Sequence, residues 1–231
     1  MRKLKFLGAA FIAMLAFTSI AASLAQAAEP NILPEGTAAA PLTAESSSGT
    51  SVFGSSILEV SSAKSEGTLS GNSPKLGSFQ VQFLESKNVA TGVKCTGLSS
   101  LDGTGVILVQ GTFHIRDYKA AGALKTAAIF LLLPVHFSCG PTLVIVLGCV
   151  AGALTPESTL AKTLTVTLAV SGKDNTIITV LNEANSAEEA CQLLFAAEGG
   201  STFKLSSEAT TQTLTNFKKG GAAVEVLVMP L

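Results

Sequence analysis

Between Lys125 and Glu157 the chain carries no aspartate, glutamate, lysine or arginine. Two apolar runs fill this interval, 127–135 and 143–154; Pro134 interrupts the first and the Cys139-Gly140-Pro141 turn separates them. A helix that crosses a membrane needs roughly 20 consecutive apolar residues, and each run is too short. Short apolar runs bounded by turn residues read instead as buried strands. The interval is therefore expected to form a central hairpin, buried on both faces and turning at Gly140-Pro141. Phe137 and Ile145 are expected in the core.

Elsewhere apolar and polar residues alternate with the period of two that marks a strand with one wet face. Phe79, Val81 and Phe83 alternate with Gln80 and Gln82. Ile107, Val109, Phe113 and Ile115 alternate with Gln110, Thr112, His114 and Arg116. Leu164, Val166, Leu168 and Val170 alternate with threonines, and Val224, Val226 and Val228 form a last such face. Further strands are expected at 52–60, 175–181, 201–205 and 208–216. The connections between these segments are short and glycine-bearing, too short for crossover helices. The pattern is that of an antiparallel sheet. One helix candidate breaks it: Ser186 and Glu189 have capping-box spacing, and Ala187, Ala190, Cys191, Leu194 and Phe195 recur at helical intervals, which predicts a short helix over 186–195, the competing reading being a strand over 192–197.

The N-terminus opens with Arg2, Lys3 and Lys5, continues as an apolar run over 6–20, and reaches Ala25-Gln26-Ala27. This is the layout of a secretory signal peptide covering 1–27, with cleavage after Ala27. Removing it takes away those three cations and no acid, and Arg116 is then the only arginine. Nucleic-acid binding depends on many Lys and Arg side chains, so that class of partner is excluded, as is a basic membrane surface. Charged residues are 13% of the chain, against roughly 25% in typical domains, and Ser and Thr supply the polarity instead. Residues 28–75 hold few large apolar side chains, and ten serines fall between Ser46 and Ser70. Such a segment reads as a partly disordered Ser/Ala/Gly-rich tail before a single β domain over 76–231.

Cys95, Cys139, Cys149 and Cys191 are an even set, the state that suggests disulfides in an exported chain. In a tight hairpin Cys139 sits at the bend, with Cys149 about seven residues along the next strand. At roughly 3.3 Å per residue they stand about 20 Å apart, whereas a disulfide needs Cα atoms within about 7 Å. Cys95–Cys139 or Cys95–Cys149 is expected, and Cys191 is expected as a buried free thiol on the helix candidate.

The usual catalytic signatures are missing. There is no G-x-S-x-G elbow, no Walker loop, no dinucleotide fingerprint, no repeated acidic calcium loop and no evident carboxylate pair. His114, His136 and Asp117 are the polar-face candidates. His114 and Asp117 are three apart on one strand and so point to opposite faces, which suits neither a metal site nor a triad. No metal or cofactor is expected. A transmembrane barrel would carry aromatic girdles, and this chain has no tryptophan and one tyrosine, Tyr118.

From Val93 to the C-terminus the chain resembles a group of uncharacterised bacterial secreted all-β proteins that occur as many divergent copies. The residues concerned are Lys94-Cys95-Thr96, Gly111-Thr112-Phe113-His114, LLLPVHFSC at 131–139, Leu147-Gly148-Cys149-Val150, Leu154-Thr155-Pro156 and Val224-Glu225-Val226. The group has no assigned activity, so the resemblance implies secretion and a β fold and nothing catalytic. Its members often carry a second cysteine shortly before the one matching Cys95. Residues 85–93 here have none, which leaves the partner of Cys95 open.

The expected architecture is all-β: an antiparallel sandwich or barrel of about nine to ten strands, with one short helix near 186–195. The expected function is that of an exported, non-enzymatic structural or binding protein. It would act at the cell surface or in the medium, with cell-envelope or extracellular components as partners and no membrane span after signal cleavage. The alternative is an extracellular hydrolase whose site the sequence does not advertise.

Overall fold

The computed structural model describes residues 30–34, 41–73, 75–99, 103–171, 174–182, 187–197 and 202–229, and the segment 1–27, expected as a signal peptide, lies outside them. The fold is a closed antiparallel barrel of eight strands. In chain order they are β1 (Leu42–Ser48), β2 (Lys64–Ser73), β3 (Leu76–Leu84), β4 (Ile107–Ala120), β5 (Ala123–Cys139), β6 (Thr142–Thr155), β7 (Leu164–Leu168) and β8 (Lys204–Lys219). Each pairs with the next, and β8 returns to β1 through Leu214↔Ser46 and Thr215↔Glu45. A path through the registers once around the ring comes back displaced by about ten residues, the stagger that gives such a barrel a strand tilt of roughly 40°.

Alternation decides which side chains enter the barrel. Phe79, Val81 and Phe83 of β3, Phe113 and Ile115 of β4, Phe130 and Phe137 of β5, and Val144, Val146 and Val150 of β6 are all buried in one core. The uncharged interval does form a hairpin, with Cys139↔Thr142 next to its turn and a bulge between Leu132 and Val135. Its outer face is only partly covered. Ala127, Ile129, Cys149 and Ala151 pack outside the wall against Ile177, Val180, Cys191 and Tyr118. Leu131, Leu133 and Leu143 remain exposed, and Ile145, expected in the core, points outward and is half-buried.

Both ends of the barrel are closed. At one end Asn31–Pro34, Val226–Met229 and Leu160–Ala161 form a small sheet that buries Ile32, Val226 and Val228. At the other, Ser51–Gly54 and Glu59–Ser62 continue the β1–β2 pairing past Gly49, and Lys87–Asn88 extends β3 alongside. Phe53, on this prolonged tip, packs at an angle against Phe83 and edge-on against Phe137, with ring centroids 5.3 and 6.1 Å away.

The structure corrects four expectations. The segment read as a tail, 28–75, supplies β1 and β2, so the β domain begins well before residue 76. The helix expected over 186–195 is replaced by Glu188–Ala190 and Leu193–Ala197. The second of these fills the gap between β6 and β8 that the short β7 leaves open, with Phe195 fully buried. Helical spacing was ambiguous because Leu193 and Phe195 also alternate. Cys191 is not a free thiol but is joined to Cys149, whereas Cys95 is joined to Cys139, one of the two pairings expected. The strand count separates into eight barrel strands and additional short ones, with no helix among the described residues.

Candidate functional site

The residues singled out from the sequence do not come together. His114 faces outward on β4, opposite Ile129. His136, opposite Ile145, lies roughly 20 Å further along β5 at about 3.3 Å per residue. Asp117 is not on a polar face: it is fully buried and points into the barrel end, where it accepts a 3.5 Å hydrogen bond from Thr126 Oγ1. The backbone N–H of Thr126 donates to Glu157 Oε1 at 2.5 Å, and Lys125 Nζ sits 3.3 Å from Glu157 Oε2. Burial and the Glu157 charge push the Tyr118 phenol up, with Lys125 opposing. These groups tie down the β4–β5 turn. Among the described residues no group of three or more His, Cys, Asp or Glu side chains forms a metal-binding cluster. Cys95, Cys139, Cys149 and Cys191 are all consumed in the two disulfides.

The polar chemistry lies inside the barrel instead. On β8 the inward positions are Ser206, Glu208, Thr210 and Gln212, all buried, before Leu214 restores apolar character. Serines from the kinked β1–β2 hairpin meet them. Ser51 Oγ donates to Thr210 Oγ1 at 2.8 Å, and Gln212 Nε2 donates to Ser65 Oγ at 2.7 Å. Ser48 links the two halves, 3.2 Å from Ser51 Oγ and 2.8 Å from Ser65 Oγ. Ser206 Oγ donates to the Gly54 carbonyl at 2.6 Å. The hydroxyls satisfy one another in a buried network, which allows a polar stripe inside an otherwise apolar core.

Glu208 is left out of that network. Asn175 holds its backbone, donating from Nδ2 to the carbonyl and accepting the N–H at Oδ1. Its carboxyl has no such partner, and burial alone pushes it up to about 7. The carboxyl borders two voids of about 40 and 30 Å³. Ser46 and Gln212 line the larger void, and Ser46 Oγ and Gln212 Oε1 have no hydrogen-bond partner.

A second concavity lies on the outer wall. It measures about 340 Å³ and is lined by Thr68, Ser70, Ser78, Gln80 and Gln110, with Gly111 and the edge of Phe79 at its floor and Leu133 at its side. Gln110 Nε2 donates to Gln80 Oε1 at 2.9 Å. The bulge in β5 pushes Leu133 outward, leaving it 60% exposed. A Cβ at Gly111 would collide with the Leu131 carbonyl and with Phe79, its register partner, so the close approach of the chain here requires glycine.

Sequence reasoning did not find Glu208, Gln212 or the inward serines. β8 is polar on both faces, with Thr211, Thr213 and Thr215 outside, so no apolar phase marked its inner side. The outer residues were visible as the wet phase of β3 and β4, but nothing local announced that β2 would join them. No family model matches the chain, and neither does any curated protein or solved structure.

Proposed function

We propose that this chain is an exported, non-enzymatic binding domain that engages a neutral, hydroxyl-rich component of the cell envelope or its surroundings through the outer groove of β2–β4. The groove itself carries the reading. Its volume of about 340 Å³ falls in the range of small-molecule sites, roughly 300–1,000 Å³. Its lining offers hydroxyls and carboxamides, which both donate and accept, and no charge. That is the complement of a neutral polyol rather than of an ionised ligand. Leu133 adds an apolar shelf for the C–H face of a sugar ring.

Export is supported by the N-terminal layout and by the two disulfides, which persist in oxidising compartments. The outward residues of β1–β3 include Thr43, Glu45, Ser47, Glu66, Thr68, Ser78 and Gln82. A lipid-facing barrel shows an apolar band at such positions. The hydrolase alternative gains no comparable support, because the two histidines stand at separate places on the wall.

Affinity electrophoresis tests the proposal. The secreted protein is run in gels containing laminarin, dextran, starch or hydroxyethylcellulose. Retardation by at least one polysaccharide is expected. Replacing Gln80 and Gln110 together by alanine should weaken it about tenfold or more, since each lost hydrogen bond contributes on the order of 1 kcal/mol. Free migration through all four gels overturns the proposal.

A further inference from the structure

The Glu208 carboxyl stands on the boundary between two voids whose walls are mainly aliphatic, with three phenylalanines in each. Phe53, Phe83 and Phe137 line the smaller void, and Phe79, Phe83 and Phe130 the larger. Glu208 and Phe53 are register partners, so the acid is fixed by the strand pairing beside the ring. The residue is 8% exposed, and no hydrogen bond or ion pair reaches its carboxyl. No other titratable side chain lines either void. The only other free polar atoms there are Gln212 Oε1 and Ser46 Oγ. Gln212 already donates through Nε2 to Ser65, which leaves its Oε1 as a free acceptor.

The Glu208 carboxylate therefore borders a cavity that supplies no opposing cation, with an unpaired carbonyl oxygen and hydroxyl on two other lining residues. Aromatic faces attract cations through the ring quadrupole and are the usual partners of alkylated ammonium groups. We propose that the interior at Glu208 is a binding site for a short alkylammonium ion, its N–H groups directed to the oxygens and its methyl groups to the phenylalanines. The voids set the size. One water needs about 10–15 Å³ of such volume, so a void of about 40 Å³ takes two or three non-hydrogen atoms. Methylammonium and dimethylammonium meet that limit, and tetramethylammonium exceeds it. A hard metal ion fits poorly, because it demands six or more oxygen ligands. The ionised form of Glu208, desolvated and unpaired in the empty barrel, is the form the ligand stabilises.

Thermal denaturation of the full chain provides the first test. At about pH 8, methylammonium chloride should raise Tm above the value in sodium chloride of equal ionic strength, increasingly with concentration as mass action requires. The rise should vanish in Glu208→Gln, in tetramethylammonium chloride, and at about pH 5, where the carboxyl keeps its proton. An equal rise in Glu208→Gln, or no rise in the wild type, overturns the site. Nuclear Overhauser contacts provide the second test. Contacts from the ligand methyl protons to the Phe53 and Phe83 rings are expected. Contacts from water alone would show that the voids hold only buried water, and would also overturn it.

Discussion

Replacing Glu208 by glutamine removes the one acid that faces the central voids while keeping its shape. The carboxyl is pushed up to about 7 by burial, from an ordinary value of 4.5. Below about pH 4 it is protonated in both folded and unfolded chains and contributes nothing to pH dependence. Between those two values the folded chain binds more protons than the unfolded one, so stability falls as the pH rises. Above about pH 7 the loss is complete. At 1.36 kcal/mol per unit it amounts to about 3 kcal/mol. The glutamine variant lacks this loss. Urea denaturation of both proteins across this range should give a stability difference that grows by about 3 kcal/mol in favour of the variant between about pH 4 and pH 8. Any constant offset from burying an amide cancels in that comparison. Parallel pH profiles would refute the reasoning, because they would mean that the carboxyl is solvated in the folded barrel.

Two further outcomes test the core and the cross-links. Phe137 is fully buried between Phe53 and Phe195, and Phe137→Ala should cost about 3–5 kcal/mol by urea denaturation; a loss near zero would place the ring outside the core. Cys149 and Cys191 are 42 residues apart in sequence, so their joint replacement by serine should cost about 3–4 kcal/mol. Peptide mapping without reductant should recover them linked, and labelling of native Cys191 by a thiol reagent would contradict the pairing.

What could be read from the chain depended on contrast between the two faces of each strand. The 126–156 hairpin was legible because its inner face is apolar along most of its length and Ile177, Val180 and Cys191 cover part of its outer face. β3 and β4 were legible from clean alternation. β1 and β2 were not, because Ser46, Ser48 and Ser65 point inward and Gly67 and Gly71 occupy other inward positions. A serine-rich segment resembles a solvated tail unless the partners of its hydroxyls are known, and those partners, Thr210 and Gln212, lie far away on β8. Glu208 was hidden for the same reason. Of the candidate site residues, the cysteine set was right in kind, but the Cys149–Cys191 link depends on a chain path that spacing alone does not reveal. The histidines marked wet faces and nothing more.

The seam between β1 and β8 joins Thr43 to Lys218. No shorter stretch of the chain can complete the ring. While the polypeptide emerges N-terminus first, β1 must wait with an open hydrogen-bonding edge until almost the last strand arrives. Contacts this distant in sequence are slow to form, and open strand edges invite pairing with other chains. The polar makeup of β1 and β8 suits that interval. An unfinished sheet whose waiting edge is the serine-bearing β1 offers a newly made neighbour little to stick to, and the hazard ends once the last strand seals the wall.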